Sequence, residues 1–353
     1  MDFDFNQEQY QLRDSVHVFL EDHWGPKKAR ASLGKFDQNL WNGLCDLGLQ
    51  TLLVPEKYGG AGLGLIDMVL VLEEFGHSLV PAAMSDTLLA AEMLCLFGTD
   101  VQKDELLPKI ASGNVKIAFA HASSDSAPVV AAGSETIKLN GQKIAVQCAS
   151  VASHFLVSAF NKDGLEGLYL CDATQVKVRD HHAVDPTALL GEVSFEESPA
   201  SFLGPKALHR LFLTSAFAAS AQMVGISSKA LDIAVAYAKD RKQFDRAIGS
   251  FQAIKHKCAD MFVALEGARS AAYFASWALQ DDETNSDLAV SVAKSTCGDA
   301  CRLICNESMQ IHGGVGFTWD FDVHFYMKRG KLLEYQYGDA TQHRERVAQA
   351  VLD

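Results

Sequence analysis

The chain changes its hydrophobic period twice, and those two changes constrain its fold more than any other feature. Up to about residue 113 the apolar residues recur at helical spacing, with Leu12, Val16, Phe19 and Leu20 in one stripe and Leu40, Leu44 and Leu47 in another. Further helices are predicted over Ile66–His77 and Ser85–Phe97. Near Lys116 the pattern shortens into β-rich runs: Ile117–Ala120, Thr136–Leu139, Lys143–Val146, His154–Ala159, Gly167–Leu170, Val176–Val178 and Val193–Phe195. The string Leu139-Asn140-Gly141-Gln142 predicts a hairpin turn between two of them. Helical spacing then returns over Ala207–Ala238, Gln252–Gln280, Asn285–His312, Val323–Tyr337 and Thr341–Val351. The predicted class is mainly α with a central β domain. It comprises an N-terminal helical domain (1–113), a small β-barrel or sandwich (114–205) and a C-terminal four-helix bundle (206–353).

Charge and cysteine usage narrow the function. A net charge of -13 argues against nucleic acid and an anionic membrane as partners. No long uninterrupted apolar run predicts a membrane span, and the polar, acidic start MDFDFNQEQYQLRDSV does not read as a targeting peptide, so the expected location is cytoplasmic. The eight cysteines form no CxxC pair, and disulfides are not expected. Cys297, Cys301 and Cys305 share one helix face. A metal reading would add His312 as a fourth ligand, but small residues packing one helix on another is the reading adopted, and no metal site is expected.

Two further features invite chemistry. VPEKYGGAGLG at 54–64 contains a glycine pattern, but it lacks a flanking strand and a following acidic residue, so it reads as a tight turn. Adjacent Glu73 and Glu74 point in different directions on a helix and make no obvious acid/base pair. The stretch Asp240–Met261, read as lying inside the long C-terminal helical region, carries more. Arg241 offers a guanidinium matched to phosphate oxygens, Phe244 an apolar face and Gln252 an amide donor.

The strings VPEKYGGAGLG, LLPKIASGNVKIAFA, LNGQKIAVQCASVASHFLVSA, AYAKDRKQFDRAIGSFQAIKHKCADM and MQIHGGVGFTWDFDVHFYMKR, in this order, resemble the acyl-CoA dehydrogenase family along essentially the whole chain. The resemblance implies an oligomeric flavoprotein that removes an α proton from an acyl-CoA thioester and passes the β hydride to FAD bound between two subunits. It implies that Arg241, Phe244, Gln252, Gln310, Gly313 and Gly314 face the ADP half of a neighbouring subunit's FAD. An electron-transfer flavoprotein is the usual acceptor in such a family.

Departures from the family pattern are uneven. Asp245 stands where a Gly usually follows RxxF. The flavin-side T-E-P-x-x-G-S-D segment is replaced by His121-Ala122-Ser123-Ser124-Asp125-Ser126, with His121 read as an exposed strand-end residue, and the later Trp segment by Gln147-Cys148-Ala149. The usual catalytic Glu is Gly338, the alternative Glu position on the first bundle helix is Ser215, and an Arg near the CoA ligand is Ala216. The nearby acids Asp339 and Glu334 are candidates for a relocated base, although Asp339 also reads as a helix N-cap. His343, Arg344 and Glu345 read as that helix's solvated first turn. The resemblance is to the non-catalytic subunit of heteromeric α2β2 bacterial steroid-degrading members, completing a partner's FAD site without a base of its own. A self-sufficient homo-oligomer using Asp339 or Glu334, and a structural relative binding no cofactor, stay open at the level of sequence.

Overall fold

The first helix starts where the sequence signals it. Asn6 Oδ1 accepts from the Gln9 amide and Gln9 Oε1 accepts from the Asn6 amide, both at 2.9 Å, a reciprocal cap that satisfies two otherwise orphaned N–H groups. In the computed structural model, which describes residues 5–122, 129–133, 136–281 and 284–352, this helix is α1, Gln7–His23. It is followed by α2 (Pro26–Ala31), α3 (Gln38–Asp46), α4 (Leu65–His77), α5 (Ala83–Phe97) and α6 (Asp100–Ala111). The strands are β1 (Ile117–Ala120), β2 (Val130–Ala132), β3 (Ile137–Gln147), β4 (His154–Phe160), β5 (Glu166–Asp172), β6 (Val176–His181) and β7 (Leu190–Gly204). Then come α7 (Pro205–Asp240), a minimal hairpin β8 (Lys242–Gln243) and β9 (Arg246–Ala247), α8 (Gln252–Asp281), α9 (Ser286–His312), α10 (Val323–Tyr335) and α11 (Ala340–Leu352).

The chain divides into two compact units, each assembled from separated stretches. One holds residues 1–31, 65–80 and 216–353, and the other 32–64 and 81–215. In the first unit, buried α9 is the central helix, and α8, α10 and α11 pack on it. α4 and α7 approach backbone to backbone. A Cβ on Gly225 would lie 1.8 Å from the Glu73 carbonyl oxygen, and one on Gly76 1.9 Å from that of Gln222. Only glycine allows that spacing.

The second unit is built on a seven-stranded sheet. β4 pairs with β5 on one edge and with β1 and then β2 on the other, and β2, β3, β7 and β5 complete a closed circuit of pairings. That is the barrel arm of the expectation; β6 lies off the circuit, paired only with β7. Phe155, Val157, Leu139, Val193 and Phe195 fill its interior. Thr87 Oγ1 on α5 accepts from the Ile117 amide at 3.0 Å and ties α5 to β1.

One expectation is corrected. Asn140-Gly141 does not turn the chain: β3 runs through it, pairs with β7 on both sides and shifts register there. The physical cause lies across the sheet, where Asn140 Oδ1 accepts from the Glu197 amide at 2.9 Å and Asn140 Nδ2 donates to Glu197 Oε1 at 2.6 Å. A bulge takes up the local preference for positive φ. By length and composition α7 could cross a membrane, yet its apolar window is 89% buried inside the protein, as in a core helix. The gap between the predicted helices ending at Ala238 and starting at Gln252 holds the β8–β9 hairpin, which separates α7 from α8. The glycine-rich stretch at 54–64 is a tight turn as read. Its amides bond back to Thr51, Leu52 and Val54, and a Cβ on Gly60 would lie 1.8 Å from the Val54 oxygen.

Candidate functional site

Phe244 and Asp245 are the two central residues of the β8–β9 turn, with φ of +53° and +60°. Two consecutive positive φ values are what a two-residue hairpin turn of the favoured twist requires. This accounts for Asp245: aspartate tolerates the left-handed region, so it can replace a glycine in the turn. Phe244 is 88% exposed on the tip. Arg241 sits at the base of the hairpin, where its amide donates to the Tyr237 carbonyl and its own carbonyl accepts from the Ile248 amide, both at 2.8 Å. Its guanidinium is exposed and has no carboxylate partner among the described residues. Gln252 opens α8, also exposed.

The end of α9 meets the same place. His312 stacks on Tyr237 with ring centroids 4.3 Å apart, and both rings meet Phe321 edge-on. Nδ1 of His312 bonds the Ser308 carbonyl at 2.8 Å, while Nε2 is buried without a partner. Gly313 follows at φ +66°, and a Cβ on Gly313 or Gly314 would meet nothing within 4 Å. Their backbone therefore faces open space and can approach a ligand closely. Val315, Phe317 and Trp319 continue as an exposed apolar run, and Gln310 is exposed one turn before the helix end. The stack of Tyr237 on His312 thus brings the hairpin of Arg241 and Phe244 and the Gly313-Gly314 turn to neighbouring helix ends.

The candidate base positions around Gly338 lie elsewhere in this unit. Gly338 has φ +97° and follows Tyr337 at φ +59°. A Cβ at Gly338 would sit 2.9 Å from His343 Nε2 and 3.2 Å from Gln342 Oε1. Lys294, almost fully buried on α9, donates to the carbonyls of Glu334 (2.9 Å) and Gly338 (2.8 Å), and burial lowers its pKa to about 8. His343 is fully buried, which corrects its assignment to a solvated turn. One ring nitrogen pairs with the Tyr337 carbonyl at 2.9 Å and the other with Ser291 Oγ at 3.2 Å, and burial lowers its pKa to about 4.

Asp339 Oδ1 accepts from the Gln342 amide at 2.9 Å and Gln342 Oε1 accepts from the Asp339 amide at 3.2 Å, so Asp339 is the reciprocal cap of α11. The Glu334 side chain is 5% exposed and lies between Arg302 (2.9 Å) and Lys331 (2.8 Å).

In the barrel unit Ser215 is buried with its hydroxyl unpartnered. His121 is not an exposed strand-end residue. It is half-buried against Phe119 and Phe212, its carbonyl accepts from buried Lys143 at 2.8 Å, and burial lowers its pKa to about 4. Ser123–Ser126 lie outside the described residues. Gln147, Cys148 and Ala149 are all buried, and the Cys148 amide is committed to the Leu189 carbonyl.

Residues 6–114 match the family model for the acyl-CoA dehydrogenase N-terminal domain and residues 204–352 the one for its C-terminal domain. The chain is 31% identical to acyl-CoA dehydrogenase IpdE2 of Mycolicibacterium smegmatis over 92% of each sequence. This chain belongs to the acyl-CoA dehydrogenase family. Its fold matches one chain of the ChsE4-ChsE5 complex from Mycobacterium tuberculosis (TM-score 0.92, 28% identity, 100% of this chain and 99% of that one). It matches a variant of the Tcur3481-Tcur3483 steroid ACAD similarly (TM-score 0.90, 30% identity, 98% of each).

Both candidate acids near the Gly338 position of this acyl-CoA dehydrogenase relative are held, Asp339 by a cap and Glu334 by two cations. Sequence reasoning missed the buried lysines Lys143 and Lys294 and the buried Asp86, whose pKa burial raises to about 7. No local pattern marks them, because burial of Asp86 on α5 and of Lys294 on α9 follows from packing that covers those helices nearly all round. The cysteine face is packing as read: Cys297, Cys301 and Cys305 are buried, and Cys297 bonds the Ala268 carbonyl.

Proposed function

We propose that this chain is the subunit of a heteromeric, FAD-dependent acyl-CoA dehydrogenase that completes a partner subunit's FAD site and supplies no catalytic base. The observation that carries this reading is the state of the Gly338 position. An α-proton abstraction needs an accessible carboxylate. Here the position is a left-handed glycine backed by His343, the adjacent Asp339 caps α11, and Glu334 is clamped by Arg302 and Lys331. The relocated-base reading therefore has no free acid to work with at these two positions.

The FAD-facing surface fits its group in the same sense. Arg241 lacks an ion-pair partner among the described residues, Phe244 is almost fully exposed, and Gly313 and Gly314 face open space. Arg241, Phe244, Gln252, Gln310, Gly313 and Gly314 would hold the ADP half. Arg241 pairs with the pyrophosphate, Phe244 stacks, and the glycine amides donate. Bound flavin supplies the hydride acceptor. The partner subunit would bring the base, and an electron-transfer flavoprotein would take the electrons. The steroid-derived acyl group rests on the named relatives, one of which is a steroid ACAD and another a two-component complex.

The test is a visible spectrum and an assay. The chain purified alone is expected to be colourless and inactive with acyl-CoA and an artificial acceptor, and to yield a yellow, active complex when co-expressed with an acyl-CoA dehydrogenase relative that retains its Glu. Stoichiometric flavin and turnover in the chain alone would overturn the reading.

A further inference from the structure

His17 on α1 and Glu74 and His77 on α4 face one another inside the helical unit. Glu74 and His77 are three residues apart and share a helix face. One ligand-type atom from each of the three lies within 4.8 Å of the other two. His17 Nδ1 is 2.8 Å from Glu74 Oε2, and the rings of His17 and His77 are 5.6 Å apart. We propose that His17, Glu74 and His77 bind one divalent transition-metal ion of the zinc class, which clips α1 to α4.

Three observations support the site beyond proximity. First, the ligand set is the one such an ion selects: two imidazoles and a carboxylate, leaving a fourth position for water. Around an ion with bonds of about 2.0–2.2 Å the donor atoms stand roughly 3.4 Å apart, so the 2.8 Å His17–Glu74 pair opens slightly while the more widely spaced atoms draw in. Second, a carboxylate stands near the other ring nitrogen: Nε2 of His17 lies 3.5 Å from Glu21 Oε1, close enough to orient the ring with a small side-chain adjustment. Third, His77 has no side-chain hydrogen-bond partner among the described residues although it is half-buried.

The charges around the site do not exclude a cation. Lys229 acts on His77 and Arg13 on Glu74, while Glu21 faces His17 and Glu73 lies beside Glu74. Glu73 itself is engaged by Arg269 at 3.0 Å and Tyr273 at 2.7 Å, so it is not a competing ligand.

The experiment uses the full-length chain, stripped with EDTA. Calorimetric titration with zinc chloride is expected to show uptake of one ion per chain, and the melting temperature is expected to rise with zinc. Cobalt should give a visible d–d spectrum without the near-ultraviolet thiolate band that a cysteine site would show. His17→Gln and Glu74→Gln should each weaken zinc binding at least tenfold and abolish the thermal shift, while His256→Gln, on the exposed face of α8, should leave both unchanged. His17 is partly exposed, so its variant is expected to fold, and circular dichroism checks that. Absence of saturable uptake, uptake equal to the parent's in a folded His17→Gln protein, or a thiolate-type cobalt spectrum overturns the proposal.

Discussion

Gly338 shows how much one residue decides here. Its φ of +97° is ordinary for glycine and strained for any other residue, and the space a side chain would need holds the His343 ring. Gly338→Ala is expected to cost at least about 1 kcal/mol, read from the urea midpoint, since alanine at positive φ loses more than it gains in chain entropy. Asp86 makes a pH-dependent case. Burial raises its folded-state pKa from 3.8 to about 7, so the folded protein holds that proton more tightly than the unfolded chain. The resulting stability is full below about pH 4 and is lost as pH rises toward about 7, where the folded form also ionises. Asp86→Asn stays neutral, so the stability of the variant relative to its parent should rise across that interval and then level off. Urea midpoints taken along the pH series check this, and a flat difference would count against a buried, protonated Asp86.

At the scale of elements, the β8–β9 hairpin is the feature that aims Arg241 and Phe244. Its turn needs two left-handed residues, and aspartate meets that need without the freedom of glycine. Asp245→Val should lower stability by about 1–2 kcal/mol, since a β-branched residue resists the left-handed region, and Asp245→Gly should not. Thermal melts of the two variants separate the outcomes. The contact of α4 with α7 is held to backbone distance by Gly76 and Gly225. Gly225→Ala is expected to destabilise by about 1–3 kcal/mol or more, because the added methyl group meets the Glu73 carbonyl and two packed helices must separate. Denaturant unfolding measures it, and a neutral effect would mean the helices can move apart freely. The sequence leaves 239–251 between two predicted helices but carries no strand signal there, because two-residue strands are too short to show a period, and a glycine inside a helix does not say what presses on it.

For the whole molecule, the proposed division of roles is tested at Arg241. In the proposed complex with a base-bearing partner, Arg241→Ala should reduce retained FAD by about tenfold or more, through loss of a charge-assisted pair with the pyrophosphate. Flavin absorbance after gel filtration reads this directly, and unchanged occupancy would remove Arg241 from the site. The sequence by itself determined the order of helical, β and helical segments, because hydrophobic period is a local property that each segment carries alone. It also determined the family, because the identifying residues sit in short contiguous strings. Only the tertiary structure decided what the remaining polar residues do. An acid near a helix start, such as Asp339, already reads as a cap rather than a free base, and the position of Gln342 shows the cap. Glu334 is clamped by Arg302, 32 residues away, and His17 meets Glu74 across 57. Pairing and burial depend on groups that packing brings together from distant parts of the chain, and that information is in no single stretch of it.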